Sequence, residues 1–184
     1  MKRSYADYKN TNLKWARQLP SHWKLKRLKA ILQLRSEKNN PIKTSQILSL
    51  TIKQGVSLYS ERQSVSGNRA KEDLTQYNVA HKNDLLVNCM NVIFGASGIS
   101  HYDGAISPVY YALYPRNADN IYYYYYVFKS IPFYKSLIGL GKGILSYRMR
   151  IPMDYLGNVI LPVPPLNEQD QIVKFLDWKL SQIT

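Results

Sequence analysis

The sequence is poor in acidic residues and has almost no cysteine. Of its 184 residues, 12 are Asp or Glu and 25 are Lys or Arg, which gives a formal net charge of +13. The single cysteine, Cys89, excludes an intramolecular disulfide and fits a reducing compartment. No apolar run approaches the roughly 20 residues of a membrane span, and the start, Met1 to Arg3, does not resemble a signal peptide. These features predict a cytoplasmic protein that does not enter a membrane.

The motifs of the common enzyme and metal sites are also missing. The three histidines, His22, His81 and His101, lie far apart in the sequence, so we expect no metal site. Gly139, Gly141 and Gly143 resemble a phosphate-binding loop only loosely, because the Lys-Ser/Thr ending is absent. There is no Asn/Asp-Pro-Pro-aromatic tetrad for amino-group methylation and no nucleophile elbow. We therefore interpret the chain as a binding module rather than an enzyme.

What the chain does have is positive charge, concentrated near its start. Residues 1–50 hold 12 of the 25 Lys and Arg residues, whereas residues 151–184 carry a net charge of −2. A basic excess of this size favours a polyanionic partner, either a nucleic acid or an anionic membrane face. The alternative is a solvated basic surface that only keeps the protein soluble.

Hydrophobic patterning predicts a mixture of strands and short helices. Strands are expected near residues 47–52, 85–87 and 109–114, and residues 23–27 fit either a strand or the start of a helix. A helix over residues 121–129, capped by Asp119 or Asn120, contains five consecutive tyrosines that suit core packing. A second short helix to about residue 138 and a mobile glycine-rich loop are expected to follow.

The C-terminal segment predicts an amphipathic helix. A proline-rich exit over residues 161–166 precedes Asn167, which we expect to be the N-cap of a helix over residues 168–184, with Asp170 at its third position. Apolar side chains form a seam at coiled-coil spacing, and the interface candidates are Ile172, Val173, Leu176, Leu180 and Ile183. The seam either folds back on the domain, pairs with another helix, or begins a longer coiled coil.

Phrases in three parts of the sequence resemble the specificity subunits of type I restriction–modification systems. The first comprises Tyr8-Lys9, Lys14-Trp15, residues 19–23 (Leu-Pro-Ser-His-Trp) and residues 27–29 (Arg-Leu-Lys). The second comprises residues 83–88 (Asn-Asp-Leu-Leu-Val-Asn), Met90-Asn91, Gly95-x-x-Gly98-Ile99-Ser100, residues 102–104 (Tyr-Asp-Gly) and Ser107-Pro108-x-Tyr110. The third runs from Leu161-Pro162-x-Pro164-Pro165-Leu166-x-Glu168-Gln169-x-x-Ile172 to residues 175–177 (Phe-Leu-Asp).

The resemblance implies a non-catalytic DNA-reading subunit. In that family, each target-recognition domain reads one half of a split double-stranded DNA target. Two long helices pair as an antiparallel coiled coil, set the gap between the halves and dock the methyltransferase (modification) subunits. Those partners use S-adenosylmethionine, and a restriction/motor subunit uses ATP and Mg²⁺. No cofactor is implied for the chain itself.

The resemblance also implies a division of the chain. It gives an α+β fold with a mixed β-sheet and short helices, and then a coiled-coil helix. Residues 1–22 are expected to form an arm on the domain, residues 23–164 the DNA target-recognition domain, and residues 165–184 the start of the spacer or dimerisation helix. The chain holds one recognition unit, so a fragment, a truncated gene product and a half-subunit that forms a homodimer through this helix all remain open.

Three predicted loops carry the candidates for DNA contacts. They span residues 53–69, 88–102 and 142–150. The candidates on them are basic, amide and hydroxyl side chains, namely Lys53, Gln54, Arg62, Arg69, Asn88, Asn91, Ser97, Ser100, Tyr102, Lys142, Arg148 and Arg150. We expect the basic body of the chain to hold phosphates and these loops to reach base edges. Arg148 and Arg150 suit guanine and Asn91 suits adenine. For Asn88, Gly98 and Asp103 the alternative is that they only shape turns. The alternative function is a basic protein-interaction module without DNA sequence preference.

Overall fold

The computed structural model describes residues 5–61, 73–141 and 150–183. In these ranges most of the short strands lie before residue 116 and most of the helices lie after residue 120, and this mixture confirms the predicted α+β class. The strands are β1 (Tyr8–Asn10), β2 (Gln18–Pro20), β3 (Lys24–Arg27), β4 (Leu32–Leu34), β5 (Leu48–Thr51), β6 (Gly55–Leu58), β7 (Asn78–Ala80), β8 (Leu85–Asn88), β9 (Ser97–Ile99), β10 (Gly104–Ile106), β11 (Tyr110–Pro115) and β12 (Ile160–Val163). The helices are α1 (Leu28–Ile31), α2 (Ile121–Lys129), α3 (Ile131–Ser136), α4 (Met153–Leu156) and α5 (Leu166–Ser181).

A four-stranded antiparallel sheet, in the order β4-β11-β8-β9, forms the centre of the domain. All four residues of β8 are buried, as a run of consecutive apolar residues predicts. Tyr110 at the start of β11 lies opposite Asn88 at the end of β8, whereas β4 pairs with residues 113–115. One end of the sheet is therefore the place where β8 ends and β11 begins. At the opposite end, the last residues of β11 pair with β4.

Helix α2 packs against this sheet and supplies much of the core. Its N-cap is Asn120, whose Oδ1 accepts a hydrogen bond of 3.0 Å from the backbone N–H of Tyr122. Of the five tyrosines, Tyr123 and Tyr124 are buried and the other three are partly exposed. Burial raises the pKa of both buried phenols, which remain neutral. The tyrosine run is therefore largely a packing element, as predicted.

A smaller apolar cluster lies between the central sheet and two hairpin-like pairs. β5 pairs with β6, and β7 pairs with β10, both antiparallel. Their shared interior contains Leu48, Leu50, Ala80, Leu86, Ile106 and Ala112. The predicted strand near residues 47–52 is thus the first arm of the β5–β6 hairpin.

The N-terminal segment forms a small hairpin, β1–β2, that contacts the domain through aromatic rings. The Trp15 ring lies edge-on to Phe133 with centroids 5.1 Å apart, and Tyr5 lies 6.0 Å from Trp23. Residues 24–27 form a strand, β3, which pairs with β12, and a single helical turn, α1, follows. The strand interpretation of residues 23–27 is therefore confirmed, and the helical interpretation is wrong for them, because the helix begins only at Leu28.

The C-terminal helix starts earlier than predicted. Its N-cap is Pro165, in an extended conformation, so the assignments of Asn167 as N-cap and Asp170 as third residue are wrong. Proline suits this boundary because its ring fixes φ and it lacks an N–H to leave unpaired. Glu168 consequently occupies the third helical position. Among the helices of the described residues, we find none with both the length and the apolar character needed to cross a bilayer.

Candidate nucleic-acid interface

Parts of the three predicted DNA-binding loops meet where β8 ends. The backbone N–H of Ile151 donates to Cys89 O at 2.9 Å, which attaches the end of the third loop to the second. The Lys129 ammonium donates to Ile52 O at 3.1 Å and to Gly95 O at 3.2 Å, which attaches the β5–β6 turn to the second loop. We call this region, residues 51–55, 89–96 and 150–151, the loop end of the domain.

Two glycines allow the β5–β6 turn to lie directly on β9. A Cβ atom at Gly98 would lie 3.1 Å from Gly55 Cα and 3.1 Å from the Val56 backbone nitrogen. Gly55 itself has φ +68°, in the left-handed region that favours glycine. Any side chain at position 98 would therefore lift the turn that carries Lys53 and Gln54.

The exposed surface of the loop end mixes apolar, amide and cationic groups. Phe94 is 49% exposed and Ile52 is 45% exposed, so both side chains are open to a ligand. Lys53, Gln54 and Arg150 are exposed beside them, and Asn91 is half-buried. DNA offers a counterpart to each type: phosphate oxygens for cations, base edges for amides, and thymine methyls or base steps for apolar groups.

The structure thus brings together four of the candidate residues, Lys53, Gln54, Asn91 and Arg150. Tyr102 is partly exposed but lies at the other end of the β8–β9 hairpin, because Ser100 N–H bonds to Asp84 O there. Four further candidates lie outside the described residues: Arg62, Arg69, Lys142 and Arg148.

Three other candidates are buried and do not face the surface. Asn88 is 8% exposed, and its Oδ1 accepts a hydrogen bond of 3.0 Å from the Met90 backbone. Ser100 Oγ donates to Tyr102 O at 2.6 Å, which closes a turn. Ser97 is fully buried, and its Oγ has no hydrogen-bond partner within the described ranges. Direct base contact by Asn88, Ser97 or Ser100 does not fit these positions, since they shape the loops from inside.

A buried thiol, that of Cys89, lies at the loop end and interacts with the Arg150 side chain. Burial raises the pKa of Cys89, so the thiol is neutral and suits packing rather than nucleophilic chemistry. Tyr111 OH donates to Ile151 O at 3.0 Å and holds the segment that follows Arg150. In the described parts of the chain, no group of three His, Cys, Asp or Glu residues is placed to hold a metal ion.

Lys129 was not among the sequence candidates, although it joins two of the loops. Helical spacing indicates its position, because Lys129 lies four residues after Tyr125 and seven after Tyr122 and therefore shares their face of α2. Both tyrosines line a cleft of about 180 Å³ together with Gln54 and Gly98. Burial lowers the pKa of Lys129, whose ammonium is held by carbonyl oxygens.

We expect Lys129→Met to loosen the loop end while leaving the core intact. Methionine keeps the apolar stem but loses both hydrogen bonds, each worth about 1.5–3 kcal/mol when a charged group donates. Backbone amides of residues 52–55 and 95 should exchange with deuterium faster, whereas those of β8 should not change. Lys135→Met, an exposed lysine on α3, is the control. Equal protection of the 52–55 turn in both variants would contradict a joining role for Lys129.

The C-terminal helix is anchored to the domain at its start. Glu168 accepts hydrogen bonds from His22 Nε2 at 2.6 Å and from Trp23 Nε1 at 2.8 Å, so parts of the first and last sequence phrases meet. Burial alone would raise the pKa of Glu168, but the hydrogen bonds from Trp23 and His22 outweigh it and lower the value. Asp177 accepts a hydrogen bond from Tyr126 further along the helix.

The apolar seam of α5 is divided between the domain and solvent. Val173 is buried, Ile172 packs against the core, and Leu176 is half-buried. Leu180 is 48% exposed and Ile183 is 73% exposed. The first part of the seam therefore folds back on the domain, and the last turns carry the seam beyond it.

Comparison with known proteins gives a family match over most of the chain. The family model for the type I restriction modification DNA specificity domain (Methylase_S) matches residues 20–183. A search of curated proteins found no significant match.

Two solved structures share the fold. The HsdS subunit from Thermoanaerobacter tengcongensis is 22% identical with a TM-score of 0.54, and the match covers 90% of this chain and 39% of that one. A chain from a structural study of complex assembly and conformational transition of the type I R-M system is 20% identical with a TM-score of 0.56, covering 90% and 40%. The chain thus spans about two fifths of the length of these structures.

Proposed function

Because the chain belongs to the family of type I restriction modification DNA specificity domains, we propose that it reads one half of a bipartite DNA target. The loop end of the domain is the reading surface in this proposal. Lys53 and Arg150 supply positive charge, Gln54 and Asn91 supply amides that suit base edges, and Phe94 supplies an exposed ring. The body of the chain contributes charge, since the formal net charge is +13.

The observation that carries this proposal is the meeting of the three loops at one end of the sheet. The hydrogen bonds from Lys129 and Ile151 place residues that are far apart in sequence within one exposed surface. Side chains from different loops on a common rigid support can together reach several adjacent bases. A surface that only kept the protein soluble would not need that arrangement.

In the same proposal, catalysis belongs to partner subunits. The chain itself is non-catalytic, and the exposed C-terminal part of the seam, Leu180 in the last turn of α5 and Ile183 just after the helix, contributes to docking methyltransferase subunits. S-adenosylmethionine is expected in those subunits, and ATP with Mg²⁺ in a restriction/motor subunit. Pairing of two copies through α5 is the corresponding arrangement for a half-subunit. The cytoplasm is the expected location.

A selection experiment tests the reading function. The chain, alone and with its cognate methyltransferase subunit, is incubated with a library of randomised duplexes at moderate salt, and the retained DNA is sequenced. Enrichment of a short asymmetric half-site is the expected result. Salt-sensitive retention without enrichment, even with the partner present, would instead support the alternative of a basic protein-interaction module.

Single substitutions at the loop end separate base contacts from phosphate contacts. We expect Asn91→Ala and Gln54→Ala to relax preference at particular positions of the half-site, each by about 1–3 kcal/mol of discrimination. Lys53→Ala should weaken binding uniformly across sequences. Arg150→Ala belongs to the first group if the guanidinium reads guanine and to the second if it holds a phosphate. Asn158→Ala, an exposed asparagine away from these loops, is the control, and an equal effect there would contradict the assignment.

A further inference from the structure

We propose that a groove beside β3 is a second DNA-binding site, one that holds the phosphodiester backbone without reading sequence. The groove is lined by His22, Lys24 and Lys26 on one side and by residues 163–165 on the other. The inference rests on the proposed function, because it takes duplex DNA as the ligand. It adds a contact surface separate from the loop end.

The geometry of β3 places two lysines in the groove together. Lys24 and Lys26 are two residues apart on a strand, so their side chains share a face and their Cα atoms lie about 6.8 Å apart. This distance is close to the separation of successive phosphates along one DNA strand. Both side chains are exposed, and the groove has a volume of about 250 Å³. At this spacing the two flexible lysine side chains can each reach one of two adjacent phosphates.

The charges around the groove leave these lysines available for an anion. None of the groove-lining residues is acidic, and no ion pair within the described residues involves Lys24 or Lys26. Glu168 contacts His22 at the groove, but its two oxygens already accept hydrogen bonds from His22 and Trp23. A local salt bridge therefore does not explain why two lysines lie side by side here.

The groove lies at the opposite end of α2 from the loop end. Its wall at Pro165 leads into α5, where Gln169 binds the backbone N–H of Asn120, the N-cap of α2. Lys129, the last residue of α2, contacts the loop end. Helix α2 has nine residues and is therefore about 14 Å long. The groove and the loops are thus separate contact points on one domain.

The chemistry of the groove favours phosphate over base readout. An ammonium group is a compact charge on a flexible stem, which suits a phosphate but not the bidentate recognition of a base edge. The opposite wall is formed by Val163, Pro164 and Pro165, of which the two prolines lack an N–H to donate to a base. Contacts of this kind set the position and salt dependence of binding rather than its sequence preference.

The salt dependence of binding tests the proposal. The full chain is titrated onto a fluorescent duplex of mixed sequence at several salt concentrations between about 50 and 200 mM. Removing two phosphate contacts should reduce the magnitude of the log–log salt slope by about 2, since each contributes about 0.9. We expect this for Lys24→Gln/Lys26→Gln, and we expect Lys24→Arg/Lys26→Arg to keep the original slope.

The control is Lys38→Gln/Lys82→Gln, which removes the same charge from two exposed lysines beside β7. An equal fall in slope for both pairs would overturn the proposal, because only the net charge would matter. An unchanged slope in the groove variant would overturn it too. Loss of binding to polyglutamate with DNA binding intact would assign the groove to an acidic protein. Sequence enrichment by the wild-type chain is measured separately, so its absence would count against the reading function and not against the groove.

Discussion

Arg35→Met should lower the free energy of unfolding by about 3–5 kcal/mol, because it leaves a buried carboxylate without its counter-charge. The Asp84 side chain is only 2% exposed. Arg35 donates to it twice, from Nε at 2.7 Å and from Nη2 at 2.9 Å. The guanidinium also lies 4.5 Å from the centroid of the Tyr114 ring. Methionine fills much of the volume but offers no charge and no donor.

The same domain offers a contrasting ion pair as a control. Lys43 and Glu37 lie 2.7 Å apart, but their side chains are 48% and 28% exposed. Water solvates both partners, so Lys43→Met should cost only about 0–1 kcal/mol. Urea unfolding of the two variants measures the difference. A cost for Arg35→Met no larger than that for Lys43→Met would show that burial of Asp84 does not govern the energetics.

The cost should be asymmetric between the two partners. In Asp84→Asn the group left without a partner is the Arg35 side chain, which is 24% exposed and open to water. We therefore expect a smaller loss than for Arg35→Met. The double variant should lose less than the sum of the two single losses, because either substitution alone already breaks the pair. Asp84 also accepts a hydrogen bond from the His81 backbone at 2.8 Å, so it organises the turn before β8.

Elements with a strong local pattern were predictable from the sequence. The helix Ile121–Lys129 and its Asn120 cap follow from an amide side chain before an apolar run, and β8 follows from consecutive buried aliphatics. The segment at residues 23–31 was ambiguous because a four-residue strand runs directly into one helical turn. Patterns that short carry too few residues to separate periods of 2 and 3.6.

The start of α5 shows where local reasoning fails. An asparagine after a proline-rich exit is a good N-cap candidate, yet the helix already begins at Leu166. The acid at the third position, Glu168, is held by His22 and Trp23, which lie about 145 residues earlier in the chain. Such a partner cannot be inferred from the neighbouring sequence, because it depends on the pairing of β3 with β12.

The candidate site was predictable at the level of loops but not of side chains. Asn88 and Asn91 have the same chemistry and are three residues apart, yet one is buried beneath the loop and the other is partly exposed. Which amide faces outward is decided by the path of residues 89–96, which depends on hydrogen bonds within the loop and on the two that join Cys89 to Val109 and Ile151. Lys129 was missed because a lysine at the end of a helix usually faces solvent.

Gln169→Leu is the second substitution for which we expect a large loss, about 2–4 kcal/mol in the free energy of unfolding. Gln169 is 1% exposed. Its Oε1 accepts a hydrogen bond of 2.8 Å from the Asn120 backbone, and its Nε2 donates to Asp119 Oδ1 at 2.8 Å and to Pro164 O at 3.0 Å. Leucine would leave an N–H and a carbonyl in the protein interior without partners. Gln182→Leu, at the exposed end of the same helix, is the control and should cost little.

Gln169→Glu adds a dependence on pH that separates lost hydrogen bonds from lost packing. The introduced carboxylate cannot donate, and it would face Asp119 Oδ1 where Nε2 now lies 2.8 Å away. Its pKa in the folded protein should therefore rise above the value of about 4.3 for an unfolded glutamate. Below about pH 4 the introduced side chain is protonated in both states, and its stabilising contribution is then fully present. That contribution is lost as pH rises through the higher pKa of the folded state. Relative to wild type at each pH, the destabilisation should thus be small in acid and large at neutral pH.

A destabilisation independent of pH would mean that the contact between α5 and the domain depends on shape rather than on the hydrogen-bond donor that Gln169 supplies. The angle at which the helix leaves the domain would then be set by Val173 and Ile172, which pack against the core.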